Sequence, residues 1–124
     1  MASIILSIHK QYCDLLFEGK KKIEFRKTLP SRPISSIIVY EAKGCGKIIG
    51  ELSVSETIEG SPEEVWLQTK DIAGIDKDSF LSYYAGKRKA VAYVIDSYNR
   101  YEKYRPLSDF GVSKPPQNYI WAKE

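Results

Sequence analysis

From Ser3 to Ile8 the apolar residues Ile4, Leu6 and Ile8 recur at a period of two, with Ser3 and Ser7 on the other face, which predicts a strand. From Lys10 to Glu18 the period lengthens. Tyr12, Leu15 and Leu16 recur at helical spacing, and Gly19 supplies the left-handed residue that stops a helix. Lys22 to Lys27 alternates again, with Ile23 and Phe25 on one face and Lys22, Glu24 and Arg26 on the other. A strand so patterned is half buried, and its charged face must look at solvent, a partner or a cleft.

Two prolines make Leu29 to Pro33 a loop, and β-branched residues from Ser36 to Tyr40 predict a strand. The run Lys43-Gly-Cys-Gly-Lys47 then turns the chain into a long strand, Ile48 to Ile58. Ser61, Pro62 and Glu64 stand at the N-cap, first and third positions of a capping box, opening a helix that continues through Val65, Trp66 and Thr69. A second helix starts at the N-cap Asp76, buries Phe80, Leu81 and Tyr84, and stops at Gly86. This helical hairpin interrupts a series of strands, which resumes over Lys89 to Ser97. Pro106 to Gly111 reads as a loop or short turn, and Pro115 to Trp121 as a last aromatic strand.

Five or six short strands with local helical insertions predict an α+β fold. It is built on a closed or nearly closed β-barrel with flanking helices and the helical hairpin as an insertion. Strand and helix do not alternate regularly, and no glycine-rich phosphate loop is present, which excludes a doubly wound nucleotide-binding sheet. At 124 residues, 43% hydrophobic and 28% charged, residues 1–124 are expected to form one domain. No apolar run approaches the ~20 residues of a membrane span and no basic leader is recognised, so a cytoplasmic location is expected.

The net charge is only +3, but Lys20, Lys21, Lys22, Arg26, Lys27 and Arg32 fall in one short segment, and Lys87, Arg88 and Lys89 form a second group. Such clusters suit a phosphate-bearing partner, or else form a solvated charged face. The two cysteines, Cys13 and Cys45, lack a CxxC spacing, and one histidine cannot complete a zinc site. Neither metal nor cofactor is expected. A nucleophilic Cys45 would need His9 as its base; the simpler assignment is one buried thiol and one turn thiol.

The run Ser7-Ile-His-Lys-Gln-Tyr12, followed by Gly19-Lys-Lys-Lys-Ile-Glu-Phe-Arg-Lys27, resembles the opening signature of ASCH domains. In that signature a helix ends at Gly-x-Lys and a Glu-Phe-Arg-Lys strand follows. The resemblance continues through Ile48-Ile-Gly-Glu51, Pro62-Glu-Glu-Val-Trp66, Gly74-Ile75 and Pro115-Pro-Gln-Asn-Tyr119, covering nearly the whole chain. It is nearest to the branch described as PUA-like predicted transcriptional regulators. It implies a PUA-like barrel, a cleft lined by the Gly-x-Lys turn and the charged strand, and an RNA-related function.

One branch of the family consists of bacterial amidohydrolases of N4-acetylcytidine. There a lysine of the Gly-x-Lys turn activates a threonine three residues later, assisted by a more distant glutamate. Lys21 matches that lysine, but Glu24 stands in the threonine's place, and the glutamate's region reads Ile72-Ala-Gly-Ile75. A carboxylate cannot act as the hydroxyl nucleophile without a different mechanism. Ribonuclease activity is attributed to other members, and Glu24 as base, Lys21 as acid or charge stabiliser and Arg26 on the phosphorane form a set suited to it.

The expected function is therefore an RNA, nucleotide or modified-nucleoside binding module, with a small metal-independent hydrolase as the alternative. Lys21, Glu24 and Arg26 are expected at the cleft floor, Lys10, Lys20 and Lys22 at its mouth. Glu24 would hold the cations, and Arg26 would offer its fork to phosphate; otherwise these charges are a surface ion-pair lattice worth roughly 0 to 1 kcal/mol per pair. His9, at the strand-to-helix junction, contacts a phosphate or makes a local hydrogen bond. Gln117 reads a base edge or satisfies backbone groups. Nine tyrosines and two tryptophans add stacking surfaces; most belong to the core or barrel rim, and Tyr98, Tyr101 and Tyr104 are the expected exposed ones.

Overall fold

The computed structural model describes residues 2–122. Strand β1 (Ser3–His9) leads into helix α1 (Lys10–Phe17), then β2 (Ile23–Arg26), β3 (Ser36–Ala42) and β4 (Ile48–Gly60). Helices α2 (Pro62–Thr69) and α3 (Lys77–Tyr83) precede β5 (Ala90–Arg105). One tight helical turn, Leu107–Phe110, and a short β6 (Ile120–Trp121) follow. All six strands lie in one sheet, in the order β2-β5-β4-β3-β1-β6. β1 runs parallel to β3, and every other pairing is antiparallel. The fold is α+β, a curled half-barrel with three helices.

The curl has a local cause. The β4–β5 ladder slips register at three places, and a further irregularity lies between Val39 and Tyr40 of β3. Each slip bends its strand and increases the twist. Gly50 sits at one of them because a side chain would not fit: a Cβ there would meet the Asn99 carbonyl oxygen at 2.4 Å. Coiled in this way, the sheet brings the free edge of β2 towards β1 and the segment before β6.

The interior of the curl holds the main core, in which Ile4, Leu6 and Ile8 of β1 meet Leu16, Val39, Leu52 and Tyr93. The opposite face of the central strands, Ile5, Ile38 and Ile48, is covered by Leu107, Phe110 and Val112. A separate cluster lies beneath the helical hairpin, where Ile23 and Phe25 pack with Val65, Phe80 and Tyr84. β2 is thus buried on both faces.

Several elements differ from the sequence expectation. β5 runs eight residues past Ser97, because its polar, tyrosine-rich second half is recruited by the backbone of β4, Gly50 pairing with Arg100 and Leu52 with Tyr98. A step of three on a strand alternates faces, so Tyr98, Tyr101 and Tyr104 form no exposed stripe. Tyr98 is exposed, while Tyr101 packs on the outer cluster and Tyr104 on the main core. Leu81 is 42% exposed, because only Phe80 and Tyr84 of α3 face the hairpin core. The last strand shrinks to Ile120–Trp121; Pro115 and Pro116 have no N–H to give a ladder. The capping box at Ser61 forms as expected, with Glu64 N–H donating to the Ser61 hydroxyl and Ser61 N–H to Glu64. Among the described residues no helix is long and apolar enough to cross a membrane.

Phe80 joins the hairpin to β2, its fully buried ring lying 5.0 Å from both Phe25 and Trp66 and 4.8 Å from Tyr84. Phe80→Ala is expected to cost about 3–5 kcal/mol, measured by urea unfolding, with a larger loss than at the exposed neighbour Leu81→Ala.

Candidate functional site

Between the edge of β2 and the edge of β1 the sheet does not close through a backbone ladder. Arg26, at the end of β2, spans the gap with its side chain. Nη1 donates to the Ser7 carbonyl at 3.4 Å and to the Glu24 carboxylate at 3.3 Å, and Nη2 donates to the Asn118 carbonyl at 3.2 Å. Its own carbonyl accepts the Tyr84 hydroxyl at 2.7 Å. Strand alternation sends Glu24 and Arg26 to the same side, while Ile23 and Phe25 go to the hairpin core. Glu24 is 6% exposed, so this is a buried charge-assisted pair and not part of a surface lattice.

Lys21 arrives from the turn after α1, where Gly19 takes φ +74° and the Lys20 and Lys21 amides both donate to the Leu15 carbonyl. Its side chain is folded inwards and only 3% of the residue is exposed. The ammonium donates to the Ile23 carbonyl and lies 5.0 Å from the centroid of Phe25. Gly74 presses against its stem: the backbone is at φ +74° and a Cβ there would stand 2.7 Å from Lys21 Cβ and Cγ. Burial lowers the Lys21 pKa, and the negative charge of Glu24 acts in the opposite direction.

These residues face a cavity of about 460 Å³. Lys21, Glu24, Arg26, His9 and Gln117 all line it, although they come from three separate parts of the chain. The structure places Lys10, Lys20 and Lys22 elsewhere: all three are exposed and none lines this cavity. Lys10 pairs with Asp14 at 2.8 Å, Lys20 with Glu18 at 3.6 Å, and Lys22 lies before β2, its backbone tied to Ile72 and Ile95. His9 is the N-cap residue of α1, and its side chain makes no capping hydrogen bond.

Other contributors were not singled out as site residues from the sequence. Ser7 brings its carbonyl, and its hydroxyl donates to the Pro116 carbonyl at 2.8 Å, tying the Gln117 turn to β1. Tyr12 and Tyr83 line the cavity. Tyr83 is 38% exposed, and its partial burial raises the phenol pKa. The signal for Tyr83 was present in the helical wheel of α3, where Tyr83 lies four positions after Ser79 on the same wall.

The cysteines lie outside this constellation. Cys13 is buried, donates to the Ile8 carbonyl at 3.3 Å, and has its thiol pushed up to about 12 by burial. Cys45 is exposed in the turn between β3 and β4, where its amide is bound by Glu41. Among the described residues no group of three or more His, Cys, Asp and Glu is placed to hold a metal ion.

Residues 6–111 match the family model of the ASCH domain. The chain belongs to the ASCH domain family. A curated member from Zymomonas mobilis, an ASCH domain-containing ribonuclease, is 21% identical over 127 residues, covering 97% of this chain and 84% of that protein. Crystal structures of ASCH from Zymomonas mobilis superpose with a TM-score of 0.86, or 0.87 for a point mutant, at 20% identity. They cover 98% of this chain and 88% or 91% of theirs, which shows the shared fold. Two Ureaplasma parvum proteins also match 98% of this chain: large ribosomal subunit protein uL22 at 26% identity and ATP synthase subunit alpha at 24%. This chain spans 39% of the former and 15% of the latter.

The depressed pKa of Lys21 makes a prediction about stability. Between its folded value and the ordinary 10.5, the unfolded chain holds more protons than the folded one, so stability rises with pH across that window. Lys21→Met removes this contribution. Thermal unfolding at a series of pH values is expected to show the wild type gaining on the variant as pH climbs towards 10.5.

Proposed function

We propose that the cavity beside Arg26 binds a nucleotide unit of single-stranded RNA, or a nucleoside-like ligand of the same chemistry. The observation that carries this reading is that the buried Lys21 and Glu24 and the half-buried Arg26 open onto one cavity of about 460 Å³. That volume lies in the range of small-ligand sites. A guanidinium has five N–H donors. Three contacts hold Arg26 to Ser7, Glu24 and Asn118, leaving donors for an anionic oxygen. Tyr12 and Tyr83 supply aromatic surface, and Gln117 and Glu24 supply the acceptors and donors that distinguish base or ribose edges. Likeness to a ribonuclease, and to part of a protein of the large ribosomal subunit, supports RNA as the ligand class.

The ribonuclease relative also favours a second reading, phosphodiester cleavage at the same place. Glu24 would take the proton of the ribose 2′-hydroxyl, whose oxygen attacks phosphorus, while Arg26 balances the charge of the phosphorane. The P–O bond to the next nucleoside breaks, its oxygen takes up a proton from water, and a cyclic phosphate remains while Glu24 returns its proton to solvent. The acetylcytidine amidohydrolase arrangement has less support: position 24 has no hydroxyl, and the Ala73-Gly74 backbone packs where the assisting carboxylate is absent from the sequence.

Short single-stranded RNA, with and without N4-acetylcytidine, is expected to bind the wild type and to weaken as salt rises. Lys21→Met and Arg26→Lys are each expected to weaken binding about tenfold, the second because an ammonium keeps the charge but loses the fork. Fluorescence anisotropy measures this, and gel analysis of the recovered RNA separates the two readings: Glu24-dependent fragments identify a ribonuclease, intact RNA a binding module. Absence of affinity at every salt concentration would sink both.

A further inference from the structure

A second cavity, of about 190 Å³, adjoins the first. The two share Arg26, Tyr83 and Gln117, so the three side chains stand between them as a common wall. Ile4 and Leu6 are buried residues in its lining; Thr28 and Asn118 are exposed at its rim. Tyr119 adds an aromatic ring set edge-on to Trp121 at 5.6 Å. Lys27, an exposed residue, holds its ammonium 4.3 Å from the centroid of the Tyr83 ring.

We propose that this cavity is a second nucleotide subsite, so that the chain grips two consecutive nucleotides of a single strand with the intervening phosphate at Arg26. The proposal rests on the RNA-binding reading and adds to it the minimum length of the ligand. Consecutive bases of one strand are separated by one phosphate, and Arg26 is the one cation among the three residues that the two cavities share. The second cavity offers Tyr83 and Tyr119 as aromatic surface beside the polar groups of Thr28, Gln117 and Asn118, which suits a base face together with its edge. Lys27 covers the Tyr83 ring through a cation–π contact that an exposed lysine gives up easily. Displaced by a base, its ammonium stays within reach of the phosphate that base carries. Gln117, facing both cavities, is placed to read the edge of either base.

Calorimetric titration of the whole chain compares each nucleoside monophosphate with the dinucleotide that extends it by one nucleoside, the ribose methylated to prevent cleavage. The expected result is that the dinucleotide binds about tenfold more tightly or better, the gain of one stacked base. Thr28→Trp, which fills only the second cavity, is expected to erase that gain while leaving the monophosphate affinity unchanged, which also reports that the variant is folded. Lys27→Ala is expected to reduce the gain severalfold. Equal affinities for the two probes in the wild type, or a gain that survives Thr28→Trp, would overturn the second subsite and leave the first standing. No binding of either probe would overturn the RNA reading, and the subsite with it.

Discussion

The guanidinium of Arg26 does for this sheet what a row of backbone hydrogen bonds does for a closed barrel. β2 pairs with β5 on one side only, and its other edge faces β1 across a gap. Arg26 crosses that gap to the carbonyls of Ser7 and Asn118, and Glu24, two residues earlier on the same face, supplies the opposite charge. A charge taken this far out of water is tolerated only with such partners. The incomplete closure has a functional side: a ladder here would be flush and dry, whereas a single side chain leaves space on either side of itself. Both cavities beside Arg26 exist because the seam is bridged at one point.

The rest of the site follows from how β2 is held. Its apolar face is clamped by the helical hairpin through Phe25, Phe80 and Tyr84, and the Tyr84 hydroxyl reaches round to the Arg26 carbonyl. The loop leaving α2 then places Gly74 against the stem of Lys21 and the Ile72 carbonyl against the Lys22 amide. The hairpin thus acts as a buttress, fixing the register of a four-residue strand too short to be stable by its own pairing. Burial of Lys21 is part of the same packing: its ammonium is satisfied by a carbonyl of the strand it precedes and lies against an aromatic ring. A lysine held like this differs from the solvated ones beside it, Lys20 and Lys22, although the sequence presents the three as one run.

Charge in this protein is therefore sorted by depth. The exposed lysines and arginines make pairs such as Lys10–Asp14 within α1 and Arg105–Asp109 between the end of β5 and the helical turn after it, contacts of small energetic value. Buried Glu24, paired with the half-buried Arg26, organises the seam, and a second buried carboxylate, Glu41, organises the turn between β3 and β4 by accepting the Cys45 amide at 2.9 Å. The modest net charge of +3 averages over two populations with different roles.

Local chemistry was enough to read most of the elements. The alternation of β1 and β2, the capping box at Ser61, the N-cap at Asp76 and the glycines after α1 and α3 each act within a few residues, so the chain order of strands and helices was legible, as was the family. The alternation of β2 also put Glu24 and Arg26 on one face, but left open whether that face met solvent, a partner or a cleft. Only the tertiary structure decided this, because the answer depends on bulges in β4 and β5 that curl the far end of the sheet back over it. The same curl brings Gln117 and Tyr83 to Arg26 and leaves Lys10, Lys20 and Lys22 outside. It also makes a strand of Tyr98 to Arg105, a stretch whose polar pattern gives no strand signal of its own. Periodicity records which side of an element is apolar; what that side meets is set by contacts between residues far apart in the chain, and no local pattern encodes them.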